Sequence, residues 1–279
     1  MDPFFATSSA PPRLRNDARA LISESQIEEF EAAGAICLRG LFGMDWITRV
    51  RGAVERALAA DSAESRPAFQ LRHSLAAQDA DVRAFVFESP AAEIARRLMR
   101  SRTVRYYFDQ MFVKEPGAEA PTPWHHDQPY WPAAGRQICS LWLALDPVTL
   151  ASGGLEYVYG SHLWGREYAP VPFTDRGRRA MSAASSNEVL PDIDANRDQY
   201  RFLSWEMQPG DCLVHQARAV HGASGNTTHE RRRRALSVRW LGDDARYRAP
   251  AERTDPMLID PTLAPGDRME SARFPLIIG

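Results

Sequence analysis

Lysine is nearly absent from this chain. Of 34 basic residues among 279, only Lys114 is a lysine. Genome composition accounts for an arginine excess, but not for the one lysine that remains. Cysteine is also scarce. Cys37, Cys139 and Cys212 are widely spaced, and no Cys-x-x-Cys pair exists, which excludes a thiolate zinc cluster. An odd count argues against a complete disulfide framework, so a reducing, cytoplasmic location is expected. No apolar run approaches the roughly 18 residues needed to cross a bilayer. Residues 1–20 lack a basic start followed by an apolar stretch, so they read as a mobile arm and not as a secretory signal. Excess charge is missing too. A net charge of −2 gives no reason to expect nucleic acid or an anionic membrane as partner. There is no P-loop, no Gly-x-Gly-x-x-Gly and no internal repeat.

What is present is an ordinary globular balance, 44% hydrophobic and 25% charged. All-β units reach this length as one domain, so residues 21–279 are read as one. The first part, 21–100, reads as helical. Ser23 to Ala33 opens with Ser25 and Glu28 at capping-box spacing. Ala35 to Phe42 follows as a strand. Asp45 to Ala60 carries Ile47, Val50, Val54 and Leu58 on one side. Residues 61–88 are ambiguous, and Pro90 to Met99 reads as a helix with Ser89 as N-cap and Pro90 at its first position. From 101 to 245 the pattern becomes short strands separated by Pro, Gly, Asp and Asn turns, which argues a sandwich or barrel. The strands expected are Thr103–Lys114, Trp124–Trp131, Gln137–Leu145, Leu155–Tyr159, Phe202–Met207, Asp211–His215 and Arg234–Leu241. A polar stretch, 165–200, interrupts them and is expected to be a lid. Residues 246–279 form a C-terminal extension.

Chemistry concentrates in Trp124-His125-His126-Asp127. In a strand, positions i and i+2 share a face, so His125 and Asp127 can hold one ion together while His126 points away. A third ligand comes from Asp211–Ala223, where His221, followed by Gly222, competes with His215. Two histidines and one carboxylate with positions left open suit a non-haem Fe(II) oxygenase; a zinc hydrolase can use similar donors. His73, His162 and His229 have no partner at ligand spacing and read as structural. Arg231–Arg234 enters a strand whose Arg233, Ala235 and Ser237 share a face. A guanidinium there suits a carboxylate clamp. Lys114 shares a strand face with Gln110 and Phe112. Tyr130, Trp131, Trp142, Tyr157, Tyr159, Trp164 and Tyr168 supply candidates for a mostly apolar pocket.

Several segments together resemble the phytanoyl-CoA dioxygenase family of Fe(II)/2-oxoglutarate-dependent oxygenases. They are Thr122-Pro-Trp-His-His-Asp, Ser140-Leu-Trp-Leu-Ala-Leu-Asp, Gly153-Gly-Leu-Glu-Tyr-Val-Tyr-Gly-Ser-His, Pro209-Gly-Asp, Val220-His-Gly-Ala-Ser-Gly-Asn and Arg233-Arg-Ala-Leu-Ser, in family order over roughly residues 23 to 245. The resemblance implies a mainly β fold with flanking helices, built on a double-stranded β-helix (jelly-roll, cupin-like) core. It implies Fe(II) on His125, Asp127 and His221, with 2-oxoglutarate and O2 as co-substrates. It selects Arg233 over Arg232 and Arg234 for the distal carboxylate of 2-oxoglutarate, and it places Gln110 and Lys114 near that co-substrate. Related halogenases carry Ala or Gly in place of the aspartate, so Asp127 favours hydroxylation, desaturation or ring formation. Ser152 departs from the Asn common before the Gly-Gly turn. The expected partner is an apolar small molecule, with nothing specific to a CoA thioester, and the chain is compatible with a homodimer. The competing reading is a metal-binding jelly-roll isomerase or hydrolase, or a binding module without oxygenase activity.

Overall fold

The change from helical to alternating pattern near residue 100 is the main division of the architecture. The computed structural model describes residues 22–60, 67–171, 188–250 and 254–279. The arm expected at 1–20, and residues 172–187 of the expected lid, lie outside the described residues. The first part holds α1 (Glu24–Ala33), β1 (Ala35–Leu38), α2 (Met44–Ala59), β2 (Phe69–His73), α3 (Leu75–Gln78), α4 (Ala80–Glu88) and α5 (Ala91–Leu98). After these come β3 (Val104–Lys114), β4 (Thr122–His125), β5 (Ala133–Ala134), β6 (Ile138–Ala144) and β7 (Leu155–Val158). The remaining strands are β8 (Phe202–Ser204), β9 (Cys212–Gln216), β10 (His221–Ala223), β11 (Arg233–Leu241), β12 (Arg246–Tyr247) and β13 (Leu276–Ile278).

Two antiparallel sheets make the core. The larger has the order β1-β9-β6-β11-β3-β13, with β2 also paired to β3; the smaller has the order β4-β10-β7-β8. Alternation along β11 shows how the layers form. Leu236, Val238 and Trp240 join a large apolar cluster with Ile27, Ile47, Val54, Phe85 and Ile94 of the helices. Ala235, one position before Leu236 and so on the opposite face, joins Trp142, Leu213 and Tyr157 in the space between the sheets. The helices therefore back one face of the larger sheet, and its other face looks at the smaller sheet.

Local chemistry corrects several boundaries. The capping box of α1 uses Ser23 and Gln26, not Ser25 and Glu28. Pro90, not Ser89, is the N-cap of α5, although Ser89 Oγ still accepts from the Ala91 N–H at 3.3 Å. The strand expected over Trp124–Trp131 stops at His125. Asp127 is helical in backbone, and Gln128–Tyr130 form a 3₁₀ turn closed by Tyr130 N–H to Asp127 O at 3.1 Å. Pro129 lacks the N–H that a continuing ladder needs. The segment Asp211–Ala223 divides into β9 and β10, which belong to opposite sheets.

Candidate active site

His125 ends β4, and His221 opens the neighbouring β10, directly opposite it in register. Asp127 reaches the same point from the turn after β4. One donor atom from each of the three lies within 4.8 Å of the other two, and all three residues are buried. Asp127 Oδ1 is 3.6 Å from His125 Nε2 and 4.0 Å from His221 Nε2. The other ring nitrogens are committed to backbone. His125 Nδ1 donates to Pro123 O at 2.8 Å, and His221 Nδ1 donates to Ala219 O at 3.0 Å. These bonds set the tautomer that offers Nε2 as a lone pair. The expected pairing of His125 with Asp127 is therefore present, but a turn brings it about and not strand alternation.

His215, the competing third ligand, is buried on the larger sheet, with Nε2 3.3 Å from Asp127 Oδ2. It approaches the oxygen of the aspartate that the other two histidines do not, and its ring centre lies 4.6 Å from that of His221. His126 points elsewhere and accepts from Tyr168 N–H at 2.9 Å. Burial opposes ionisation of Asp127. The surrounding His125, His215 and His221 overcome that cost and hold its carboxyl well below the usual range. Burial, then the neighbouring His125 and His215, keep His221 neutral well below its ordinary value. A carboxylate at Asp127 beside a neutral imidazole at His221 is the protonation state that metal ligation requires.

A cavity of about 240 Å³ opens over this cluster, between the inner faces of the two sheets. Arg233 lines it from β11 and is 3% exposed. The four-arginine run separates here by strand face. Arg232 pairs with Glu115 at 2.8 Å and Arg234 with Asp146 at 2.6 Å. Arg233 turns inward, 5.4 Å from the Trp142 ring, with no carboxylate partner among the described residues and with Nε buried without an acceptor. Burial lowers its pKa to about 10 against the opposing pull of Asp146, so it remains a cation at neutral pH. A buried cation without a counter-ion is costly and points to an anionic guest.

Gln110 lines the cavity as expected, accepting from Arg239 Nη2 at 2.7 Å and donating to His73 Nε2 at 3.0 Å. Lys114 does not line it. The side chain is fully buried opposite Arg233 across the ladder, with Nζ donating to Ser224 O. Tyr130, Trp131 and Trp142 face the cavity, whereas Tyr157 packs behind the histidines.

Sequence reasoning missed Arg239 and His73. Arg239 is buried in the cavity wall with its guanidinium 4.7 Å from the Phe108 ring. Its signal was available, since it continues the alternation of Arg233, Ala235 and Ser237. His73 arrives on β2 through pairing with Gln110 of β3, a long-range contact that no spacing announces. The C-terminal extension is also part of the wall, through Asp255 and Leu258.

The sequence model for phytanoyl-CoA dioxygenase (PhyH) matches residues 30–235, which span every residue of the cluster and Arg233. The chain belongs to the phytanoyl-CoA dioxygenase family. That membership makes it an Fe(II)/2-oxoglutarate-dependent oxygenase by class. Among relatives, the multifunctional dioxygenase ausE of Penicillium brasilianum is 27% identical over 246 residues, covering 82% of this chain and 75% of that protein. The multifunctional dioxygenase prhA of the same organism is 26% identical over the same shares. Among solved structures, the non-haem α-ketoglutarate-dependent carbocyclase SnoK from nogalamycin biosynthesis is 24% identical. It superposes with a TM-score of 0.73 over 96% of this chain and all of its own. The epimerase SnoN, in complex with Fe3+, α-ketoglutarate and nogalamycin RO, gives 0.69 at 24% identity over 94% of this chain and all of its own. At these identities the superpositions establish the jelly-roll fold alone.

Proposed function

We propose that this oxygenase-family chain oxidises an apolar small molecule of secondary metabolism, using His125, Asp127 and His221 as iron ligands and Arg233 as the clamp for 2-oxoglutarate. The observation that carries the reading is the pairing of a three-donor cluster with a buried, uncompensated guanidinium in one cavity. The donor set suits Fe(II): two neutral imidazoles and one carboxylate on one side of the ion leave positions for a chelating co-substrate and O2. When bound, Fe(II) would let O2 serve as the oxidant, two of its oxidising equivalents converting 2-oxoglutarate to succinate and CO2 and the other two oxidising the substrate C–H bond.

The chain's own residues bind and orient. Arg233 meets a carboxylate with two parallel N–H groups, in a site dry enough to make that pairing strong. Buried donors at Arg233 Nε, Arg239 Nε and Ser237 Oγ have no hydrogen-bond partner among the described residues; a dicarboxylate entering from the metal side satisfies such groups. Phe69, Leu71, Tyr130 and Leu258 give the remaining wall an apolar character, suited to a hydrophobic substrate held by a few polar anchors. The names of relatives and neighbours, several from natural-product pathways, support a tailoring oxidation.

The test is 2-oxoglutarate turnover with added Fe(II), followed as succinate. Wild type is expected to turn it over slowly without a prime substrate, and Asp127→Ala is expected to lose that activity. In thermal-shift titration, 2-oxoglutarate is expected to stabilise the protein only with a divalent metal, and Arg233→Ala is expected to abolish the shift. Indifference of the wild type to 2-oxoglutarate in the presence of metal overturns the reading in favour of a metal-dependent isomerase, hydrolase or binding module.

A further inference from the structure

The two oxygens of Asp127 face different environments. Oδ1 looks toward His125 and His221. Oδ2 is turned to the larger sheet, where it accepts from Ser140 Oγ at 3.0 Å and stands 3.3 Å from His215 Nε2. Ser140 on β6 and His215 on β9 are directly opposite each other across the ladder, so the sheet itself fixes their spacing. A carboxylate oxygen only accepts, which puts a proton on His215 Nε2. The Tyr157 hydroxyl, 3.1 Å from His215 Nδ1, donates to that nitrogen and secures this tautomer. Tyr157 in turn pairs in register with His221 on the smaller sheet. The chain of contacts thus runs from one iron ligand through Tyr157, His215 and Ser140 to another. Ser140, His215 and Tyr157 are each at most 2% exposed, so water does not substitute for them.

We propose that Ser140 and His215, with Tyr157 behind them, act as a brace that keeps Asp127 a one-oxygen ligand and thereby holds a coordination position open for the co-substrate. The inference rests on the iron site proposed above and concerns how that site keeps its vacancy. A carboxylate binds a cation through one oxygen or both. A carboxylate oxygen has roughly two acceptor directions. Two donors on Oδ2 occupy both and leave Oδ1 alone for metal. Without the brace, Oδ2 is free to swing onto the ion. Asp127 then takes a further position, and the sphere is one short of what a two-point chelator and O2 need. Ser140, His215 and Tyr157 are positioning residues in this scheme, because they act through Asp127.

The test uses the full chain loaded with Co(II) under nitrogen, whose visible absorption reports coordination number. Co(II) affinity and 2-oxoglutarate affinity of the loaded protein are measured separately by calorimetry. His215→Ala is expected to keep Co(II) binding at the wild-type level or tighter, to show the spectrum of a more highly coordinated ion, and to lose 2-oxoglutarate affinity by about tenfold or more. Ser140→Ala and the nearly isosteric Tyr157→Phe, which remove one hydroxyl each, are expected to move the same way by less. His215→Gln, which can still present an N–H to Oδ2, is expected to recover part of the loss. An ordinary ligand-orienting role instead predicts that Co(II) affinity itself drops by about 10- to 100-fold. That result, or variants that bind both partners as wild type does, overturns the brace. A wild-type protein that binds no Co(II) overturns the underlying iron site, which distinguishes the two failures.

Discussion

Lys114 is a buried amine with no carboxylate partner among the described residues. The groups packed on it are Arg233 opposite on β11, Phe69 opposite on β2 with its ring centre 5.3 Å from Nζ, the Ser224 carbonyl that accepts from it, and Gly153 against its stem. Burial, and then repulsion from Arg233, lower its pKa from the usual 10.5 to about 7. The sign of the effect on stability follows. Between those two values the unfolded chain still holds a proton that the folded chain has released. Stability therefore rises with pH across that window, at a slope approaching about 1.4 kcal/mol per pH unit. Integrated from pH 7 to pH 9, this one group contributes a gain of about 2 kcal/mol. Buried thiols and phenols titrate in the opposite sense toward the upper end, so the isolating measurement is a difference. Urea unfolding of wild type and Lys114→Met at pH 7, 8 and 9 is expected to show the wild type gaining about 2 kcal/mol on the variant. Parallel curves, with a constant difference at all three values, refute the argument, since they mean that Lys114 keeps its proton throughout. A wild type that loses ground with rising pH refutes it more strongly, because an unseen anion is then holding the charge.

Three further outcomes test the packing. Gly153→Ala places a Cβ 2.8 Å from Lys114 Cδ and 3.0 Å from Ser224 O at a φ of +82°, and is expected to cost about 1–3 kcal/mol in urea unfolding; an unchanged midpoint contradicts the close approach. Phe85→Ala removes a fully buried ring that stands 5.2 Å from Phe42 and 5.8 Å from Trp46, and is expected to cost about 3–5 kcal/mol, read as a lower thermal midpoint. Asp211 accepts from Arg39 at 2.9 Å, from Gly40 N–H at 2.8 Å and from Gln208 N–H at 2.9 Å. Burial opposes its ionisation, but those bonds lower its pKa from 3.8. Asp211→Asn is expected to cost about 1–3 kcal/mol at pH 7, with a smaller difference at pH 3, because the carboxylate's contribution fades as pH falls through its folded pKa.

Much of the larger sheet was legible because its strands alternate strictly. Arg233, Ala235 and Ser237 fall on the inner face as their spacing requires, and Leu236 and Val238 on the outer. Segments that depend on turn chemistry read less well. Trp124–Trp131 is rich in strand-forming aromatics, yet Gln128 N–H donates to Ala217 O across the fold and the chain coils into a turn. Within one segment, the following glycine and the family resemblance favour His221 over His215 as third ligand, and the turn after Gln216 sends the two to opposite sheets. That separation makes one a candidate ligand and the other a neighbour of the ligand's far oxygen. His73 was illegible because its place comes from a pairing partner 37 residues away.

The two sheets differ in how firmly they are held. Helices back β11 and its neighbours with a large apolar cluster, whereas β4, β10, β7 and β8 are only three or four residues long. Short strands backed by a small apolar cluster around Val158, Ile193 and Val220 open locally before a long sheet covered by helices does. Both candidate histidine ligands sit on the short strands, and Arg233, the proposed clamp, sits on the long one. In amide exchange, the metal-binding half is therefore the part expected to breathe first. An ion held between β4 and β10 ties those strands together, and a ligand present at about 100 times its dissociation constant adds about 2.7 kcal/mol against opening. On the proposed ligand set, loading the metal is thus expected to do mechanical service before any chemistry begins, by closing the half that opens first.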